Sequence, residues 1–274
     1  MLKLVATDLD GTFLRNDKSI SKENLDTLHT LGERGILRVA ATGRNLQKTR
    51  EVIAGHIPFD YFVFSSGAGV YDCRKEELLY YRNINKEIVR QISAFLIEKD
   101  LNFHLFKAVP DNHQCWYYRG SVYCSEFEAY SGYHRNHSEP LPEGEPLDVE
   151  ACQFLVLFPN NFELFSKLKE ELQALFPEVK VLRASSPLET GYIWMEIFHP
   201  AVSKGNGVKF LCDTLQIDHE CTLGIGNDFN DLDLLEFTRY SYLVDNSPQE
   251  LKDRFLRTRS NEESAFACAV GEHL

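Results

Sequence analysis

Apolar residues fall in short, regularly spaced runs through the first third of the chain. The run Leu2 to Thr7 predicts a strand that stops at Asp8. Ser21 is placed to cap a helix carrying Leu25, Leu28 and Leu31 on one stripe, with Gly35 as its stop. Ile36 to Ala41 predicts a second strand, ending at Thr42-Gly43-Arg44, and another helix breaks before Pro58. Asp60 to Phe64 predicts a third strand, which runs into Ser65-Ser66-Gly67-Ala68-Gly69. Strands alternating with helices at this spacing imply right-handed crossovers and a parallel sheet. Ligands of such sheets bind beyond the carboxyl ends of the strands. Asp8, Asp10, Thr42 and Ser66 all fall at those ends.

The middle of the chain has another rhythm. Residues 85–100 predict an amphipathic helix with Ile88, Ile92, Phe95 and Leu96 as its apolar face. Strand-like runs follow at Phe103–Phe106, Cys115–Tyr118 and Phe154–Phe158. Residues 137–150 hold three prolines and five acids without a base and predict a solvated loop. Asn161 can cap a helix with Phe165, Leu168, Leu172 and Leu175 on its apolar face, followed by strands at Val179–Arg183 and Tyr192–Phe198. This is an α+β pattern with its own small sheet. Its aromatics (Trp116, Tyr117, Tyr118, Tyr123, Tyr130, Tyr133) suit a small core better than a substrate pocket. The last third returns to α/β. Gly205–Leu215 predicts a helix, and Thr222–Ile225 a strand feeding Gly226-Asn227-Asp228-Phe229-Asn230-Asp231. A helix with Leu232, Leu234 and Leu235, a short strand Tyr240–Val244 and two closing helices complete the expectation.

Composition narrows the classes. At 274 residues, 43% hydrophobic and 26% charged, the chain is long enough to bury a core without disulfides or structural metal. A net charge of -12 argues against broad nucleic-acid binding, which draws on a basic surface. The seven cysteines include no CxxC pair and predict reduced thiols in a cytoplasmic protein. The alternative, a zinc site among His113, Cys115, Cys124, His134 and His137, has no structural zinc spacing. No apolar run approaches the ~18 residues of a membrane span, and Asp8 comes too early for a signal peptide.

Four stretches carry chemistry. Asp8-Leu9-Asp10-Gly11-Thr12 follows an apolar strand, so alternation puts both carboxylates on one side of the chain. Two carboxylates there repel unless a divalent cation bridges them or one is protonated. A carboxylate can also attack phosphorus to form an aspartyl-phosphate. The Thr42 hydroxyl and Gly43 N–H can donate to a phosphate oxygen. Lys204, just ahead of a helix, can set its charge on a phosphate beside the positive helix end. Gly226 to Asp231 carries two acids and two amides at a strand end, a set suited to a hard cation. Singly, the threonine and lysine signals are weak; an ordinary turn or a surface lysine accounts for each.

Together the stretches resemble the haloacid dehalogenase (HAD) superfamily, and within it the Cof-like sugar phosphatases with an inserted type IIB cap. The matching segments are DLDGTFL at 8–14, ATGR at 41–44, SSGAGVYD at 65–72, VSKG at 202–205 and GNDFNDLDLL at 226–235. The resemblance implies a Rossmann-like parallel-sheet core at 1–82 and 198–274, interrupted by an α+β (C2-type) cap at 83–197. The cap is expected to set specificity and close over the site. The charge divides as -7 on 83–197 and -5 on the rest, so acidity is not mainly a metal-site signature. The resemblance further implies Asp8 as nucleophile and Mg²⁺ ligand. Asp10 becomes the acid and then the base, with its carbonyl on the metal. The backbone of Leu9, together with Thr42, Gly43, Lys204 and Asn230, would hold the phosphoryl group.

Two departures stand out. Relatives usually carry Asp where this chain has Asn227, so the metal ligands are left open among Asn227, Asp228 and Asp231; many carry Asn where it has Ser66. The expected activity is Mg²⁺-dependent hydrolysis of a phosphate monoester of a small metabolite, a sugar phosphate or related compound. A phosphomutase and a non-catalytic phospholigand-binding protein are the alternatives. The substrate and the oligomeric state, monomer or dimer, are left open.

Overall fold

The computed structural model describes residues 1–53, 55, 57–142, 147–184 and 191–274. The chain divides into two compact units, one of Met1–Tyr81 with Val202–Leu274 and one of Arg82–Ala201. In the first unit the order begins β1 (Leu4–Thr7), α1 (Lys22–Glu33), β2 (Leu37–Ala41), α2 (Leu46–Val52), β3 (Tyr61–Phe64), β4 (Gly69–Asp72) and β5 (Glu77–Tyr81). The second unit contains α3 (Lys86–Glu98), β6 (Phe103–Lys107), β7 (Cys115–Tyr118), α4 (Ser125–Tyr133), β8 (Ser138–Pro140), β9 (Ala151–Pro159), α5 (Phe162–Leu175), β10 (Lys180–Ala184) and β11 (Tyr192–Phe198). The first unit resumes with α6 (Lys204–Leu215), β12 (Thr222–Gly226), α7 (Leu232–Phe237), β13 (Tyr240–Leu243), β14 (Leu256–Arg257) and α8 (Ala265–Gly271).

Local sequence explains most helix starts. Ser21, Asn45, Asn85, Asn161 and Ser203 each accept a backbone N–H three residues on, as N-caps do. In the first unit the strands run β14-β13-β12-β1-β2-β3-β4-β5, parallel from β14 to β3 and antiparallel at β4 and β5. Leu4, Ala6, Val39, Ala41 and Val63 pack on Val208, Leu211 and Cys212 of α6 and Leu234 of α7. β2 also buries a charge. Arg38 reaches both carboxylate oxygens of Asp60 at 2.8 and 2.9 Å, which answers its desolvation.

The second unit is a six-stranded sheet in the order β10-β11-β9-β6-β7-β8, antiparallel except between β7 and β8. Its core joins Ile88, Val89, Ile92 and Leu96 of α3, Phe165, Leu168 and Leu172 of α5, and Phe103, Phe154, Val156, Met195 and Ile197 of the sheet. Trp116 and Tyr118 pack against it, whereas Tyr123 and Tyr133 are exposed.

Several expectations change. The β4–β5 hairpin and α4 were not anticipated. The stretch expected as a loop at 137–150 begins with strand β8, held to β7; its residues 143–146 lie outside the described residues. Leu175, placed on the apolar face of α5, is 60% exposed, being the last residue of the helix. Where two closing helices were expected, one forms. Asn261–Glu263 makes only a single 3₁₀ turn before α8. No helix among the described residues is long and apolar enough to cross a membrane.

Candidate active site

Register puts the chemistry in one place. β1 pairs in parallel with both β2 and β12, so their carboxyl ends align. Backbone bonds then tie the loops that leave them. Asp8 N–H donates to Ile225 O (2.9 Å), Thr42 N–H to Val63 O (2.8 Å) and Ser66 N–H to Thr42 O (2.9 Å). Two glycines allow α6 to approach. A β-carbon on Gly67 would stand 2.0 Å from Ser203 O, and one on Gly205 would stand 2.2 Å from Asp233 O. The start of α6 therefore seats Lys204 directly under the sheet end.

Lys204 is 1% exposed and donates to Asp8 Oδ1 and Asp231 Oδ1, both at 2.7 Å. Three buried charges thus net one negative. Burial pushes Asp8 up, Lys204 opposes it and Asp231 adds repulsion, leaving Asp8 at about 7. Burial acts to lower Lys204, but Asp231 and Asp8 outweigh it and hold the ammonium above its ordinary value. The other oxygen of Asp231 accepts the N–H of Asn227 (2.8 Å) and of Asp228 (3.1 Å), which shapes the loop after β12. Asp228 Oδ1 accepts the N–H of Phe229 at 2.7 Å.

Asp10 lies on the loop but its carboxylate turns elsewhere. Arg44 grips it with two bonds of 2.6 Å, and Lys18 adds a third at 2.9 Å. Burial alone would raise Asp10; these bonds prevail and hold it down at about 2. Thr42 is buried and its Oγ1 accepts Arg44 N–H at 3.1 Å, which leaves its hydroxyl hydrogen to donate. Gly43 is exposed, and its N–H makes no hydrogen bond among the described residues. Leu9 buries its side chain completely, so only its backbone can face a ligand. Asn230 is exposed, with Nδ2 4.0 Å from where a β-carbon on Gly43 would lie.

The donor set also bears on a metal. One terminal atom of the Asn227 amide stands 3.2 Å from each of Asp8 Oδ2, the Asp10 carbonyl oxygen and Thr12 Oγ1. With nitrogen in that position the amide donates to these oxygens and is satisfied without a cation. Turned oxygen inward, it completes with Asp8 Oδ2 and the Asp10 carbonyl a hard-oxygen set that would suit Mg²⁺. Asp231 and the Asp10 carboxylate are engaged elsewhere, and among the described residues no three His, Cys, Asp or Glu side chains form a metal cage.

The structure thus gathers Asp8, Thr42, Gly43, Lys204, Asn227, Asp231 and the main chain of Asp10 at one sheet end. It sets Asp228 and Asn230 at the rim. Arg44, Lys18 and Thr12 join the site without having been singled out by sequence. Arg44 stood within ATGR, but no spacing says that a guanidinium reaches back to Asp10.

A family model described as haloacid dehalogenase-like hydrolase matches residues 5–269. The 5-amino-6-(5-phospho-D-ribitylamino)uracil phosphatase YwtE of Bacillus subtilis is 24% identical over 292 residues, covering 100% of this chain and 98% of that protein. BT1666 from Bacteroides thetaiotaomicron, one of the phosphatases of the HAD superfamily, superposes with a TM-score of 0.79 at 19% identity, over 99% of this chain and 95% of its own. The HAD subclass IIB sugar phosphatase BT4131 gives 0.75 at 17% identity, over 99% and 98%.

Proposed function

We propose, from the premise that the chain belongs to the haloacid dehalogenase-like hydrolase family, that it is a Mg²⁺-dependent phosphatase of a small phosphorylated metabolite. The reaction class is phosphate-monoester hydrolysis through an aspartyl-phosphate on Asp8. The observation that carries this reading is the buried Asp8 carboxylate fixed by Lys204, at the same sheet end as Thr42 and a Gly43 N–H that has no hydrogen-bond partner among the described residues. Lys204 orients Oδ1, the oxygen that attacks phosphorus, while Oδ2 faces the Asn227 amide. The P–O bond to Asp8 forms as the bond to the leaving oxygen breaks. Thr42, the Gly43 N–H and Lys204 hold the phosphoryl oxygens, the main task in phosphoryl transfer.

Asp10 gives the leaving oxygen its proton. It then takes one from the water that attacks the phosphoaspartate, releasing inorganic phosphate and restoring Asp8. In the grip of Arg44 and Lys18 it is a carboxylate, so acting as an acid requires that it turn from Arg44 and take up a proton. Asp8 Oδ2, the Asp10 carbonyl and the Asn227 amide oxygen would hold Mg²⁺, which when bound offsets charge on the phosphoryl oxygens. A sugar phosphate or a related compound is the substrate class the relatives suggest, YwtE being named for 5-amino-6-(5-phospho-D-ribitylamino)uracil and BT4131 as a sugar phosphatase. Seven cysteines in the thiol form support a reducing, cytoplasmic setting.

The test is hydrolysis of an aryl phosphate with and without Mg²⁺, followed by a panel of phosphorylated sugars, nucleotides and cofactors. Turnover that survives Asp8→Asn, or that ignores the metal, refutes the reading.

A further inference from the structure

Ser66 is held in an unfavourable backbone conformation, yet the fold gives its side chain nothing to do. After β3 the chain passes through three successive left-handed residues, Ser65 (φ 48°), Ser66 (φ 56°) and Gly67 (φ 97°). Glycine adopts this region freely, whereas a β-carbon is strained there. The turn itself is held by main-chain bonds, Ser65 N–H to Arg44 O (2.7 Å) and Ser66 N–H to Thr42 O (2.9 Å). Glycine at 66 would make the same bond without strain, so the turn does not explain the serine.

Packing does not explain it either. Ser66 is 8% exposed, and its Oγ has no hydrogen-bond partner among the described residues. The hydroxyl is not sealed from water, so it stands as a donor open to a ligand. Its surroundings supply the reason. Ser66 Oγ lies 3.6 Å from where a β-carbon on Gly43 would stand, and Asn230 Nδ2 lies 4.0 Å from the same point. The hydroxyl and the amide thus converge on Gly43, whose N–H has no hydrogen-bond partner among the described residues.

We propose that Ser66 is a substrate-contacting residue, its hydroxyl donating to a phosphoryl oxygen bound against Thr42 and Gly43. The inference rests on the phosphatase reading above. It gives the strain held at Ser66 a purpose, as at other ligand sites. It also gives the neutral Ser66 donor a role apart from the charge on Lys204.

The experiment pairs orthovanadate binding by calorimetry, in the presence of Mg²⁺, with thermal unfolding of the full chain. Removing a donor to a charged oxygen predicts that Ser66→Ala binds orthovanadate about 10- to 100-fold more weakly, with Tm unchanged. Ser66→Gly loses binding equally while its Tm holds or rises by about 2–4 °C, because glycine relieves the turn. Ser66→Asn, which tolerates the left-handed region and keeps a donor, retains affinity within about threefold of the parent.

Wild-type affinity in Ser66→Ala overturns the inference. So does a fall in Tm in both Ala and Gly variants that accounts for their weaker binding, since that marks a purely structural serine. If the parent neither binds orthovanadate nor hydrolyses an aryl phosphate, the phosphatase reading fails first and this inference falls with it. A parent that turns over alongside an unaffected Ser66→Ala overturns this inference alone.

Discussion

Lys204→Met removes a charge and leaves a side chain of similar length. In the parent, one ammonium lies 2.7 Å from Asp8 Oδ1 and 2.7 Å from Asp231 Oδ1, so these oxygens are at most 5.4 Å apart. Without the lysine, two buried carboxylates face each other. At that separation and an effective dielectric of about 20, their repulsion is about 3 kcal/mol. Breaking a buried ion pair by removing one partner costs about 3–5 kcal/mol in general, and the two figures agree. With an m-value near 3 kcal/mol/M, the urea midpoint should fall by about 1 M at pH 7.5 in EDTA.

The sign of the pH dependence is fixed too. Asp8 is already pushed up to about 7 by burial, and losing Lys204 removes the group that opposes this rise. The folded variant then binds protons that the unfolded chain has released, so its stability declines as pH rises from 5 to 8. Far-UV circular dichroism of urea unfolding at several pH values measures the deficit. A midpoint within about 0.2 M of the parent at pH 7.5, or a deficit that grows toward pH 5, refutes the account of these three groups.

Other consequences concern the metal and the acid. Asn227→Asp adds a carboxylate beside Asp8, so the metal-free protein should melt a few degrees lower and show a larger Mg²⁺-induced rise in Tm than the parent; equal shifts would contradict the Asn227 assignment. Because Asp8 sits at about 7 without metal, Mg²⁺ binding should release a proton, and affinity should rise up to about tenfold per pH unit between 6 and 7 before levelling off. Calorimetry in buffers of different ionisation enthalpy reads the proton directly, and affinity flat from pH 6 to 8 would exclude the coupling. Asp10, held near 2, contributes stability above its ordinary value of 3.8 that disappears as pH falls through 2. Arg44→Ala should therefore flatten acid unfolding between pH 4 and 2, and a ¹³C carboxyl titration should find Asp10 moved upward; an unmoved Asp10 would show that Arg44 does not hold it.

Much of the fold is local and was legible for that reason. Ser21 and Asn161, read as caps from the sequence, mark helix starts through bonds to their own next turn, and Asn45, Asn85 and Ser203 do the same in the structure. The apolar runs ending at Asp8, Ala41, Phe64 and Gly226 are parallel strands whose partners are supplied by the crossovers between them. Less visible elements lack such periodicity. α4 opens with Glu126 and Glu128 and buries Glu126 against the indole N–H of Trp194, a pairing 68 positions apart. The β4–β5 hairpin carries a register shift between Val70 and Tyr71 that breaks simple alternation.

The same division holds at the site. By itself the sequence determined which residues leave the strand ends: Asp8 and Asp10 after β1, Thr42 after β2, Lys204 at the head of α6, and Asn227 to Asp231 after β12. It did so because side-chain alternation and helix capping are set by neighbours along the chain. Tertiary structure alone decided that Lys204 is buried between two aspartates, that Asp10 answers to Arg44 and Lys18, and that Ser66 is strained with its hydroxyl unpaired among the described residues. Each of these depends on burial, charge and close approach between segments far apart in sequence. Those quantities come into existence only when the sheet ends are brought together.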